Sequence, residues 1–280
     1  MNLRESIAAA VRCIEAAQER DGSFALAESA SRPPATRSDN LFSTAMVVGL
    51  LSKELRPETL ARAAAYLVAR RDSTGFWAWL ADGTMPADAD DTACCLGALA
   101  CAGAHVDRTA SVKLLRRFWR LGGPFQTWMT RRMWGWGSRE RDDAVVNCNV
   151  LWAIRVLGGT SRRAEQAAAT RIVARTPAGT RYYCSAASVA WAAARVGIAT
   201  PHLVRPADAA LANRPLDCAL WLLASQRQWS EGAALLLAHQ EADGGWPGEA
   251  WLHDHAGDWE SRSVTTAFAI AALTQTIAPD

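Results

Sequence analysis

The sequence predicts an all-α protein: a single (α/α)6 toroid spanning residues 1–280, with an inner ring of helices wrapped by an outer one. Three observations predict it. Alanine dominates several stretches, such as Ala8–Ala10 and Ala192–Ala194, and strand-type alternation is scarce. Nearly uncharged helical segments recur along the chain. Between them lie segments richer in charge, with no Pro/Gly-rich linker to divide the series.

The first element, 3–18, carries Arg4, Glu5 and Arg12 among its apolar positions. It reads as an amphipathic outer helix rather than a signal peptide. Ser29–Arg37 reads as a surface loop. Four later segments, 43–51, 91–99, 146–154 and 265–273, align without gaps on Thr44, Thr92, Asn147 and Thr266. Each opens with a small polar residue and continues as an apolar helix. The spacing leaves room for two degenerate copies, at Tyr183–Ala186 and Leu216–Leu220, which makes six. A helix apolar on nearly all sides is buried, whereas one with a polar stripe faces water. The stretches 57–70, 107–119, 161–174 and 229–240 are of the second kind. Alternation of the two kinds is the signature of a helical repeat closed into a double ring. All six inner N-termini then lie at one end.

Half of the 280 residues are apolar, enough for a large core. A net charge of +2 gives no reason to expect nucleic acid as a partner. No apolar run reaches the length of a membrane span. The seven cysteines form no CxxC pair, which fits reduced, buried thiols in the cytoplasm. Tryptophan is unusually abundant, and Trp77, Trp79, Trp128, Trp134, Trp136, Trp246, Trp251 and Trp259 fall in loop-like stretches. Asp39, Asp88, Asp90, Asp91, Asp142, Asp143 and Asp217 fall at the inner-helix starts, where helix dipoles and free backbone N–H groups favour carboxylates. One cap needs one carboxylate. Asp88-Ala89-Asp90-Asp91 offers three, at the edge of an apolar ring. Desolvation and like-charge repulsion raise carboxyl pKa values, so a proton is retained and one group can act as a general acid. Aromatic faces nearby can stabilise a cation without trapping it.

Asp88-Ala89-Asp90-Asp91-Thr92-Ala93 resembles the DxDDTA motif of class II terpene cyclases, the squalene–hopene and diterpene cyclase group. Gln240-Glu241-Ala242-Asp243-Gly244-Gly245-Trp246 matches that family's Gln-x-x-x-Gly-x-Trp repeat. Gln18–Phe24 matches it with Phe for Trp, and Arg71–Trp77 keeps the Gly and the Trp. The resemblance implies a terpenoid cyclase-like toroid that protonates an alkene or epoxide of a linear, hydrophobic isoprenoid. It implies Asp90 as the proton donor, with Asp88 and Asp91 as its neighbours. No metal and no redox cofactor are implied, and Mg²⁺ enters only for a diphosphate substrate. The familiar members join two or three helical domains, whereas this chain supplies one ring.

The expected substrate-binding set is Trp77, Trp79, Trp134, Trp136, Trp246 and Trp251, with Asp143 and Asn147 for a polar head group or a terminating water. Asn147 has the alternative of bonding between helices. Arg116, Arg117 and Arg120 fit a solvated outer helix. Arg131, Arg132 and Arg139 flank Trp134 and Trp136 and suit an anionic head group, or a peripheral contact with an anionic membrane. His253-Asp254-His255 lacks a convincing third ligand for zinc. No Asp/Cys/His zinc set is apparent, which argues against protein-prenyltransferase-like chemistry. Two other readings stay open: a carbohydrate-active (α/α)6 enzyme pairing Asp88 or Asp90 with Asp143, and a non-catalytic toroid that binds a lipid or peptide.

Overall fold

A computed structural model describes residues 2–28, 40–80, 85–120, 123–129, 142–176, 179–225, 229–253 and 257–277. Six apolar helices form the inner ring: α2 (Leu41–Leu51), α4 (Ala89–Cys101), α6 (Ala144–Val156), α8 (Ala186–Arg195), α10 (Pro215–Ala224) and α12 (Arg262–Ile277). Each packs against the next, and α12 packs back onto α2, so the ring closes. The intervening α1 (Leu3–Ala16), α3 (Pro57–Ala69), α5 (Arg108–Leu115), α7 (Arg163–Val173), α9 (Asp208–Leu211) and α11 (Ser230–Ala238) form the outer layer. The inner helices are buried along nearly their whole length, whereas α1, α3 and α7 bury one stripe. The alternation expected from the sequence is therefore present, in an all-α double ring of helices.

Side chains start several helices. Asn2 and Glu5 form a capping box on α1, and Asp107 caps α5. Asp88, Asp143 and Ser185 cap α4, α6 and α8. No helix among the described residues is long and apolar enough to cross a membrane.

One structural unit repeats at each matched copy. Thr44 Oγ1 accepts the Phe24 N–H at 2.9 Å, Thr92 Oγ1 that of Trp77 at 3.2 Å, and Thr266 Oγ1 that of Trp246 at 3.0 Å. Asn147 fills the same place, with Oδ1 accepting from Phe125 N at 2.9 Å. The loop before the aromatic residue is tied down as well. Gln18 Nε2 donates to Gly22 O at 2.9 Å, and Gln240 Nε2 to Gly244 O at 2.8 Å. Arg71 Nε replaces the glutamine at Gly75 O, at 3.2 Å. The glycine is required at this turn: Gly22 has φ 93°, and an added Cβ would lie 2.4 Å from Arg62 O.

The structure also contains a small sheet that the sequence pattern did not reveal. Strands β1 (Ala27–Glu28), β2 (Ala250–His253) and β3 (Asp258–Glu260) pair antiparallel in the order β1-β3-β2. Ala27 pairs with Glu260, which joins the segment after α1 to the one before α12 where the ring closes. A backbone bridge between Tyr183 and Leu252 attaches the 179–185 segment to β2.

Candidate active site

Asp88 is the N-cap of α4. Its Oδ1 accepts the backbone N–H groups of Asp90 and Asp91, each at 2.8 Å. Asp90 therefore sits within the first turn with its own carboxyl group free of capping duty. It is only 9% exposed. Its Oδ1 accepts from Asn149 Nδ2 of α6 at 2.7 Å, and its Oδ2 accepts from the Tyr183 hydroxyl at 2.5 Å. Asn149 Nδ2 also donates to Tyr183 Oη at 3.1 Å, closing a triangle. The Asn149 carbonyl oxygen accepts from Arg195 Nη2, at the end of α8. A guanidinium only donates, so it forces the amide oxygen toward Arg195 and the NH₂ group toward Asp90. Arg195 in turn lies between two indoles, 4.3 Å from the Trp152 ring centroid and 4.2 Å from that of Trp191.

Burial pushes the Asp90 carboxyl up to about 7. The Tyr183 and Asn149 hydrogen bonds oppose this rise, and the charges of Asp88 and Asp143 add to it. Burial also lifts Asp88, to about 6, against its hydrogen bonds from Asp91 and Asp90. Asp143 is raised for the same reason. The cluster thus holds a proton near neutral pH, and the arrangement can deliver one to a bound group.

Aromatic rings continue from the acid. Tyr183 stands edge-on to Trp251, with centroids 5.7 Å apart, and Trp251 packs on Phe42 at 5.5 Å and Phe268 at 5.6 Å. Phe268 meets Trp191 edge-to-face at 4.8 Å. On the other side Phe42 contacts Trp79 at 6.2 Å, which contacts Trp259 at 6.0 Å. Deeper in the ring Trp152 of α6 reaches across to Gly97 on α4 and Gly49 on α2. These packed rings come from inner helices and loops alike.

The expected site residues divide into two groups. Asp90, Asp88, Asp91, Trp79 and Trp251 come together around the acid and the rings. Trp77 and Trp246 occupy framework positions. Both are fully buried, and their indole N–H groups donate to Leu67 O and Leu236 O, the last turns of α3 and α11, at 2.7 Å each. Asn147 is held at both ends by Phe125, its Nδ2 donating to Phe125 O at 3.0 Å. Asp143 Oδ1 caps α6 through Val145 N at 2.8 Å and Val146 N at 3.1 Å. Trp134, Trp136, Arg131, Arg132, Arg139, Asp39, Asp254 and His255 lie outside the described residues, as does Ser29–Arg37. Arg116 is not simply solvated: its Nε bonds the fully buried Glu165 of α7 at 2.8 Å.

Composition alone did not single out Tyr183, Arg195, Phe42, Phe268, Trp152 or Trp191. No Asp/Cys/His zinc set is apparent in the sequence, but the fold does bring one residue of each kind together. Cys184, His253 and Asp258 present one ligand atom each, all within 4.8 Å of one another. Cys184 reaches the end of the histidine loop from the 179–185 segment, remote from it in sequence.

No family model and no curated protein sequence matches the chain. Solved structures do. A protein from Actinoplanes superposes with a TM-score of 0.68 over 99% of this chain and 100% of its own, at 16% identity. The type II terpene cyclase MstE from Scytonema superposes with a TM-score of 0.68, at 18% identity, over 97% of this chain and 96% of MstE. Variants of MstE have been solved with geranylgeranyl dihydroxybenzoate as substrate and with merosterolic acid A as product. ent-Copalyl diphosphate synthase from Streptomyces platensis matches at 22% identity with a TM-score of 0.55, over 85% of this chain and 51% of that longer one. The fold is that of the class II terpene cyclases.

Proposed function

We propose that this chain is a class II terpene or meroterpenoid cyclase that carries out its reaction within this ring of helices. Asp90 protonates an alkene or epoxide of a linear polyprenyl substrate, and the aromatic walls guide the resulting cation to a cyclic product. The observation that carries this reading is the buried Asp90 carboxyl, poised near neutrality between Asn149 and Tyr183. Asp88 caps the first turn of α4, and its charge and that of Asp143 favour the protonated form of Asp90, so the proton stays on until a substrate takes it; Asp91 is their neighbour in the acid cluster. Arg195 is a positioning residue that orients the Asn149 amide.

Trp251, Trp79, Phe42 and Phe268 are the rings proposed to face the cation, each contact contributing about 0.5–2 kcal/mol. Trp77 and Trp246 act through the framework. The carbohydrate reading, which pairs Asp88 or Asp90 with Asp143, loses ground because Asp143, common to both pairs, has an oxygen committed to two backbone N–H groups, as does Asp88. The reaction needs no redox cofactor, and Mg²⁺ would matter only for a diphosphate head group. A peripheral contact with a membrane, supplying the apolar substrate, is proposed for Arg131, Arg132 and Arg139.

The test is incubation with prenyl substrates, including geranylgeranyl arenes, epoxides and prenyl diphosphates, followed by mass spectrometry. A cyclic isomer should form and should vanish in Asp90→Asn. Undiminished product from that variant would exclude Asp90 as the acid.

A further inference from the structure

We propose that Cys184, His253 and Asp258 form a binding site for a divalent transition metal of the zinc type, which clamps the 179–185 segment to the β2–β3 hairpin. Cys184 comes from the 179–185 segment and the other two from facing strands of the hairpin, and they converge with one ligand atom each, all within 4.8 Å of one another. Cys184 Sγ already lies 4.0 Å from His253 Nδ1. Tetrahedral zinc, with bonds of about 2.3 Å to sulfur and about 2.0 Å to nitrogen, sets ligand separations of roughly 3.3–3.7 Å. Closing the set is thus a matter of side-chain rotation. Thiolate, imidazole and carboxylate together are the donor set that suits zinc and leaves a fourth position for water.

The backbone explains the convergence. Tyr183 bridges to Leu252 in strand fashion, so neighbouring side chains point to opposite sides. Tyr183 is completely buried and turned to Asp90, whereas Cys184 is partly exposed on the other face. Along β2, Trp251 and Leu252 are buried and His253 is partly exposed. Asp258 opens β3 and pairs with His253 across the hairpin. One ion would therefore lie behind Tyr183 and Trp251 without touching the reacting carboxyl.

The charges fit a dication. On binding, the Cys184 thiol gives its proton to solvent and the thiolate forms the metal–sulfur bond. With the Asp258 carboxylate this neutralises two positive charges. Asp217 and Glu249 add negative charge nearby, partly balanced by Arg214, which pairs with both, at 2.8 and 3.1 Å.

The test uses the full chain freed of metal by a chelator and dialysed against Zn²⁺, with bound metal measured by mass spectrometry. One equivalent is expected. Cys184→Ser and His253→Ala should each weaken binding at least tenfold, while Cys13→Ser and Cys101→Ser should leave it unchanged. Substitution with Co²⁺ should give a thiolate-to-metal absorption band that is absent in Cys184→Ser. Zn²⁺ should also protect Cys184 of the unaltered chain from alkylation, read by peptide mapping, which keeps the test valid if a variant fails to fold. No retained zinc, equal binding by both variants, or unprotected Cys184 would overturn the proposal. None of these readouts depends on cyclase activity, so the outcome is separate from that of the proposed reaction.

Discussion

Asp90→Asn should stabilise the protein, and by an amount that grows with pH. In the folded chain the Asp90 carboxyl titrates at about 7 instead of its ordinary 3.8, chiefly because it is buried. An upward shift means that the folded state keeps a proton which the unfolded state releases above about pH 4. Stability therefore falls as pH rises from about 4 to about 7, and then levels off. Roughly three pKa units at 1.36 kcal/mol each set a ceiling of about 4 kcal/mol. Asp88 titrates in the same window and shares the penalty, which leaves about 2–4 kcal/mol to Asp90. Asparagine keeps the shape, removes the charge and still offers an oxygen to the Asn149 amide. For a chain of this size about 2 °C of melting temperature corresponds to each kcal/mol. Scanning calorimetry should thus find the variant only about 1–2 °C higher at pH 4.5 and about 4–8 °C higher at pH 8. A difference that stays constant across this range would refute the argument, because it would mean that Asp90 carries no buried ionisation penalty.

Two further outcomes follow from the same geometry. Tyr183→Phe removes a donor that favours the charged form of Asp90; such a bond is worth about 1.5–3 kcal/mol, so the alkaline limb of the cyclisation pH profile should move up by about 1–2 units. An unmoved limb would show that the phenol does not bond the carboxylate. Gly97→Ala would set a methyl 2.2 Å from Trp152 Cζ3, and overpacking of this kind costs about 1–3 kcal/mol, read as a lower urea midpoint; an unchanged midpoint would remove Trp152 from that place in the ring.

What could be read from the sequence was whatever local chemistry sets. The inner helices are apolar on every side, so α2, α4, α6 and α12 announce themselves without reference to their neighbours. The caps at Asp88 and Asp143, and the glutamine–glycine–aromatic turns, are short-range patterns of the same kind. The helix α9 was not visible, since Asp208–Leu211 is too short to show a period. The sheet was not visible either, because its strands are two to four residues long and β1 finds its partner at the far end of the chain. The two roles of tryptophan were indistinguishable in composition. A ring bonded to a helix-end carbonyl, such as Trp77, and a ring packed on other rings, such as Trp251, both fall in loop-like stretches.

The acid and its partner could nevertheless have been found by asking where the repeat breaks its own rule. The copies align on Thr44, Thr92, Asn147 and Thr266, which all perform the same backbone-holding task. Two residues earlier stand Phe42, Asp90, Val145 and Val264; two residues later stand Met46, Cys94, Asn149 and Phe268. Both positions are buried in every copy. Three copies in four fill each with an apolar or weakly polar side chain, as burial demands, while the remaining copy supplies a carboxyl at one and an amide at the other. These two exceptions are the groups that meet at 2.7 Å, and Arg195 fixes which way the amide faces. A polar side chain placed where its repeat equivalents are greasy costs stability unless it is paired, and here each exception pairs with the other. The framework therefore uses the repeat, and the chemistry we propose resides in its departures.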